Sequence, residues 1–100
     1  MQYFLIAYTF KNGSEEAWHQ QVKEFIAALE NSPATAGKIT YRCLKSKKSN
    51  AYYHLATAVD EESAKTLGEQ AFFKAYTERT EAVAEGDVTV TPLELIAATA

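Results

Sequence analysis

The residue with the clearest capacity for chemistry is His54, which stands among aromatic side chains in the run AYYHLATAV. An imidazole titrates near neutral pH and can exchange a proton with a phenol or an enol bound beside it. His54 is therefore the candidate catalytic residue, in the role of a general base. The alternative is a strand histidine that is hydrogen-bonded in the core or at a subunit interface, and the sequence leaves both interpretations open.

Four further residues are candidates for holding a flat organic molecule: Tyr41, Arg42, Phe73 and Tyr76. Aromatic rings stack on a flat ligand, and tyrosine hydroxyls hydrogen-bond to its polar atoms. Arg42 could bind an anionic oxygen if its side chain points into a cavity. The alternatives are ordinary packing for the tyrosines and a surface ion pair for Arg42.

The motifs of metal and cofactor sites are missing from the sequence. His19 and His54 have neither HxxxH nor HxH spacing, and the single cysteine, Cys43, allows no intrachain disulfide and no cysteine cluster. Cys43 lies in an alternating apolar run, which predicts a buried and inert thiol. Since no nucleophile elbow, phosphate-binding glycine loop or dinucleotide fingerprint occurs either, we expect no metal and no cofactor.

Composition predicts one globular domain over residues 1–100, because 47% of the residues are hydrophobic and the chain is too short for a second core. The net charge is −3 and the basic residues form no long stripe, so we expect no nucleic-acid partner. No apolar run is long enough to cross a bilayer, and the N-terminus does not resemble a signal peptide. We therefore expect a cytoplasmic protein without membrane contact.

The elements that position these residues follow from periodicity and caps. A first strand is predicted over residues 2–10, and Ser14 is the predicted N-cap of a helix that ends near Asn31. Five apolar residues at helical spacing form the predicted buried stripe of this helix: Trp18, Val22, Phe25, Ile26 and Leu29. Strands over 38–46 and 51–59 are separated by KKSN, which predicts a hairpin.

The second half of the chain is predicted to contain a broken helix and an edge strand. Asp60 resembles an N-cap, but Ala64 and Phe73 would lie on opposite sides of one continuous helix, so a break is expected between Gly68 and Ala71. A last strand is predicted over residues 87–99. Pro92 makes it an edge strand that bends at the proline.

The order β-α-β-β-α-β predicts an α+β, ferredoxin-like fold, in which an antiparallel sheet carries its helices on one face. Both faces of the predicted strands are apolar, since Tyr3 and Leu5 alternate with Phe4 and Ile6 in the first strand. An uncovered apolar face is unfavourable in water, so we expect a homodimer that forms through the open face of the sheet.

The element order and the segment FFKAYTERTEAVAEGDVTV resemble the antibiotic biosynthesis monooxygenase-like family, over essentially the whole chain. The resemblance implies a dimeric α+β barrel and a cofactor-independent monooxygenase, or a related small enzyme, acting on an aromatic or quinone-like molecule. The alternative function is a non-catalytic dimeric protein that binds a small molecule. Heme-degrading relatives carry a histidine just after the FKA segment, where this chain has Tyr76 and Thr77, so the resemblance does not imply heme chemistry.

Overall fold

The computed structural model describes residues 1–100 and contains four strands and three helices. In chain order these are β1 (Gln2–Thr9), α1 (Glu15–Asn31), β2 (Ile39–Lys45), β3 (Ala51–Ala58), α2 (Glu61–Glu69), α3 (Ala71–Val83) and β4 (Thr89–Leu93). The strands form one antiparallel sheet in the order β2-β3-β1-β4. The predicted α+β, ferredoxin-like fold is confirmed. No helix combines the length and the apolar character that crossing a membrane requires.

The two helix starts are capped as the sequence predicts. The Ser14 hydroxyl accepts a hydrogen bond from the backbone N–H of Ala17, and the Asp60 carboxylate accepts one from the backbone N–H of Ser63. These bonds satisfy donors that have no partner inside the first turn of a helix. The predicted break is also present, because Gln70 has extended backbone angles of φ −74° and ψ 134° between α2 and α3.

The core lies between one face of the sheet and the helices. Helix α1 contributes four buried residues to it, namely Trp18, Val22, Phe25 and Leu29. Strand β3 turns Tyr52, His54, Ala56 and Ala58 toward the helices, which leaves the alternate residues of β3 on the other side of the sheet. The helix-covered face is thus the one that holds His54.

The last strand is shorter than predicted. Strand β4 ends at Leu93, and residues 94–100 are exposed without regular structure. The reason lies in the register, because Leu93 pairs with Tyr3 and β1 begins only one residue earlier, at Gln2. Beyond Leu93 the chain has almost no neighbouring strand left with which to exchange backbone hydrogen bonds. The predicted edge position of β4 is confirmed by the strand order.

Candidate functional site

A cavity of about 380 Å³ lies between the sheet and helices α2 and α3. Its volume falls in the lower part of the range that is typical of small-molecule sites, roughly 300–1,000 Å³. Twelve of its sixteen lining residues are hydrophobic, and none carries a formal charge at neutral pH. The lining residues are Phe4, Ile6, Ile39, Tyr41, Ala56, Thr57, Ala58, Ala64, Leu67, Gly68, Phe73, Tyr76, Thr77, Thr80, Val88 and Val90.

The structure brings together three of the four predicted ligand-binding residues. Tyr41 from β2 and Phe73 and Tyr76 from α3 all line the cavity. Arg42 does not, because its neighbour Tyr41 occupies the helix-covered face and successive residues of a strand point to opposite faces. Arg42 is exposed and pairs with Leu55 on the open face. The prediction that Arg42 shares this binding site is therefore wrong.

His54 lies directly behind the cavity wall. Its side chain is fully buried, and it is not among the residues that line the cavity. His54 lies in the middle of the sheet, where it pairs with Ile6 of β1 on one side and with Cys43 of β2 on the other. A proton cannot pass directly between His54 and a molecule in the cavity in this arrangement. The prediction of His54 as a general base in contact with the ligand has to be corrected for this reason.

Both ring nitrogens of His54 are hydrogen-bonded to tyrosines. Nδ1 lies 2.5 Å from the Tyr41 hydroxyl oxygen and 3.1 Å from that of Tyr76, and these two oxygens are 3.2 Å apart. Nε2 lies 2.8 Å from the Tyr8 hydroxyl oxygen and 3.3 Å from the sulfur of Cys43. Tyr41 and Tyr76 thus connect the buried imidazole with the cavity.

Burial determines the protonation states of the His54 imidazole and of the side chains bonded to it. Loss of hydration lowers the pKa of His54 from 6.5 to about 4, so the imidazole is neutral at pH 7. Burial also raises the pKa values of Tyr41 and Tyr76 well above the ordinary phenol value, so both hydroxyls keep their hydrogens. The pKa of the Cys43 thiol is raised to about 11 by the same cause, in line with the inert thiol predicted from the sequence, although its side chain is only half-buried.

Two residues that the sequence analysis did not select complete the surroundings of His54. The indole N–H of Trp18 donates a hydrogen bond of 2.7 Å to the Tyr8 hydroxyl, and both side chains are buried. Trp18 had been interpreted only as the first residue of the buried stripe of α1. The signal that could have selected Tyr8 is its parity in β1, because it shares a strand face with Ile6, the pairing partner of His54.

Tyr76 forms a fixed part of the cavity wall. Its ring is stacked on Phe25 with a centroid distance of 3.8 Å and on Trp18 with a centroid distance of 5.7 Å. The planes of the rings are nearly parallel, at 4° to Phe25 and 12° to Trp18. Tyr76 is therefore held in place by α1, while Phe73, on the preceding turn of α3, is only half-buried.

A second polar group lies at the edge of the core, away from the cavity. The Tyr52 hydroxyl donates to the carboxylate of Glu15, which also forms a salt bridge of 2.8 Å with Lys45. His19 is exposed, and its Nε2 lies 2.7 Å from the Tyr52 hydroxyl. The hydrogen bond from Lys45 is the main cause that lowers the pKa of Glu15. These contacts connect the start of α1 with strands β2 and β3. Nowhere in the structure are three His, Cys, Asp or Glu side chains arranged to hold a metal ion.

The sequence matches no protein-family model and no curated protein. Solved structures do match. A crystal structure of an antibiotic biosynthesis monooxygenase gives a TM-score of 0.79 at 12% identity and covers 97% of this chain and 100% of that chain. The cofactor-independent oxygenase SnoaB from Streptomyces nogalater gives 0.78 at 15% identity, with 97% and 94% covered. A dimeric ferredoxin-like protein of unknown function from Jannaschia sp. gives 0.67 at 14% identity, with 95% and 100% covered.

These similarities concern the whole chain and its architecture. At identities of 12% to 15% they establish the fold, whereas the activity of a site depends on its own residues. The structural resemblance to antibiotic biosynthesis monooxygenases predicted from the element order is confirmed. The chain shares its fold, over nearly its full length, with an antibiotic biosynthesis monooxygenase and with a cofactor-independent oxygenase.

Proposed function

We propose that this protein binds a flat aromatic or quinone-like molecule in the cavity lined by Tyr41, Phe73 and Tyr76 and oxygenates it without a cofactor. The observation that carries the proposal is the cavity itself, an apolar space of about 380 Å³ with aromatic rings on its wall. Apolar pockets with a few polar groups suit ligands of this kind. The shared fold with a cofactor-independent oxygenase supports the reaction type.

The proposed reaction needs no external reductant, because the substrate supplies all the electrons. A tricyclic ketone such as anthrone carries a CH₂ group that gives an enolate when it loses a proton to solvent water. In the overall reaction, anthrone and O₂ form anthraquinone and one molecule of water. One oxygen atom becomes the new carbonyl group, and the other leaves as water with the two hydrogens of the CH₂ group. O₂ gains four electrons and the substrate loses four.

The roles of the residues follow from their contacts. The aromatic residues of the cavity would hold the rings of the substrate, and the Tyr41 and Tyr76 hydroxyls would approach its oxygen atom. His54 touches these hydroxyls and not the cavity, so it acts as a positioning residue. An enolate oxygen is stabilised by donors that are already oriented toward it in an environment with little water.

Oxygen consumption with anthrone as substrate tests the proposal. Gly68 lies on the cavity wall, and a Cβ atom built there has no atom within 4 Å, so Gly68→Leu adds a side chain at the cavity without a backbone clash. Lys65→Leu is the matched control, since Lys65 is exposed on the same helix and does not line the cavity.

We expect the wild-type protein and Lys65→Leu to accelerate oxygen uptake above the rate in buffer, and Gly68→Leu to lose most of this acceleration. If all three proteins gave the buffer rate, oxygenation of this substrate class by this cavity would be refuted.

A second candidate function, non-catalytic binding, is favoured by one specific observation. No Asp, Glu, His or Cys side chain lines the cavity, so no side chain there can act directly as a base at neutral pH. In that case anthrone would bind to the wild-type protein and not to Gly68→Leu, and neither protein would change the rate of oxygen uptake.

We further propose that the chain forms a homodimer in which two open sheet faces meet as a dimeric α+β barrel. Leu5, Leu55 and Tyr53 lie on the face without helices, and the Tyr53 side chain is 42% exposed. Apolar surface of this kind is usually covered by a partner. The dimeric state of the Jannaschia protein, which shares the fold, supports this proposal.

A further inference from the structure

The hydrogen bonds around His54 form a connected series of five side chains, here called the His54 cluster: Trp18, Tyr8, His54, Tyr41 and Tyr76. Every buried side-chain nitrogen and oxygen of the protein has a hydrogen-bond partner. A partner for each heavy atom does not mean an acceptor for each hydrogen. The direction of each bond in the cluster can be derived from the donors and acceptors that the residue types allow.

The direction is set at the buried end of the cluster. An indole N–H can only donate, so the Tyr8 oxygen accepts from Trp18. The hydrogen of the Tyr8 hydroxyl then needs an acceptor, and the one within reach is Nε2 of His54, 2.8 Å away. Cys43, at 3.3 Å, is a weaker donor to the same nitrogen. In this direction of bonds Nε2 carries no hydrogen.

The opposite end of the cluster follows from this assignment. A neutral imidazole with a bare Nε2 has its hydrogen on Nδ1, which faces the Tyr41 and Tyr76 oxygens at 2.5 and 3.1 Å. The two hydroxyls, 3.2 Å apart, share one hydrogen bond but have two hydrogens. One hydroxyl hydrogen therefore has no acceptor within the cluster.

The reverse direction is less favourable. With the hydrogen on Nε2, the unused hydrogen would belong to Tyr8, which does not line the cavity, whereas Tyr76 and the half-buried Tyr41 do line it. A buried donor without an acceptor carries an energetic penalty that a donor beside a ligand avoids. Trp18 thus directs the series of bonds toward the two tyrosines on the cavity wall.

We propose that the His54 cluster is a one-way series of hydrogen bonds that leaves one tyrosine hydrogen for an oxygen atom of the ligand. The cavity would then bind molecules with a carbonyl group or an oxyanion more tightly than it binds the corresponding hydrocarbons. This inference rests on the proposed function, because it specifies which aromatic molecules the same cavity selects. Successive donors in one direction polarise each other and strengthen the last bond.

Two measurements on the full chain test the inference. The first needs no ligand: ¹⁵N NMR shifts of the His54 ring at pH 7 identify the protonated nitrogen. We expect a neutral ring with its hydrogen on Nδ1. Trp18→Phe removes the indole donor and should increase the population with the hydrogen on Nε2. A wild-type ring with its hydrogen on Nε2 would overturn the inference, whatever the variant does.

The second measurement compares two flat molecules of nearly the same shape, fluorenone and fluorene, by calorimetric titration. One neutral hydrogen bond corresponds to roughly three- to tenfold tighter binding of the ketone. In the double variant Tyr41→Phe/Tyr76→Phe the ratio of the two dissociation constants should fall to about one. Equal binding of both molecules by the wild type would overturn the inference alone. If neither molecule bound, the proposed binding function would be refuted, and with it the ligand preference derived from it.

Discussion

The burial of a neutral His54 makes a quantitative prediction about the pH dependence of folding. In the folded state the pKa of His54 is about 4, against 6.5 for an exposed imidazole. Because the folded pKa is lowered, the unfolded chain binds a proton that the folded chain does not bind between these two values. The contribution of His54 to stability is therefore complete well above pH 6.5 and decreases as the pH falls through this value. Over the full window the decrease is about 3 kcal/mol, at about 1.4 kcal/mol per pH unit where the slope is greatest.

The assay is urea unfolding, followed by the fluorescence of the single tryptophan, Trp18, at several values between pH 7 and pH 4.5 and at one protein concentration. Above pH 4.5 the carboxylates Glu15 and Asp60, whose pKa values are lowered, contribute little to the slope, since their stabilisation is lost at lower pH. His54→Gln removes the titrating group and should flatten the curve, whereas His19→Gln, at an exposed position, is the matched control. Equal slopes for wild type and His54→Gln would refute the account of His54 as a buried neutral imidazole.

Three other predictions concern separate parts of the molecule. Leu55→Asp, on the open face, should convert the proposed dimer into a monomer or unfold the protein, because it introduces a charge into an apolar contact. Analytical ultracentrifugation measures this, with Lys23→Asp on the exposed side of α1 as control. Ser14→Ala should lower the free energy of unfolding by about 0.5–2 kcal/mol through loss of the helix cap, and an unchanged value would mean that the cap contributes nothing. Native Cys43, with a pKa of about 11, should react with iodoacetamide at pH 7 at least about a hundredfold more slowly than the urea-unfolded chain does.

The parts of the fold that depend on local sequence were predictable. The break between α2 and α3 follows from the angular conflict between Ala64 and Phe73, which are close in sequence. The caps at Ser14 and Asp60 are likewise local signals. The end of β4 was mispredicted because it depends on where β1 begins, more than eighty residues earlier in the chain.

The candidate site was predictable only in part, because it is built from pairings between distant segments. Both faces of the strands are apolar, so alternation alone could not decide which face the helices cover. Tyr41 and Arg42 were therefore equal candidates, and strand pairing separates them. The contact between Trp18 and Tyr8 forms only when α1 packs on the sheet, and no periodicity within either segment encodes it.

The proposed function places a flat aromatic molecule in the cavity between the sheet and helices α2 and α3. Fluorenone can be titrated into the ¹⁵N-labelled protein while the backbone amide NMR shifts are recorded. We expect saturable shifts at Ala56, Gly68 and Phe73, which line the cavity, and no comparable shifts at Arg42 and Leu44 on the open face. Shifts confined to Arg42 and Leu44, or shifts that never saturate, would contradict it.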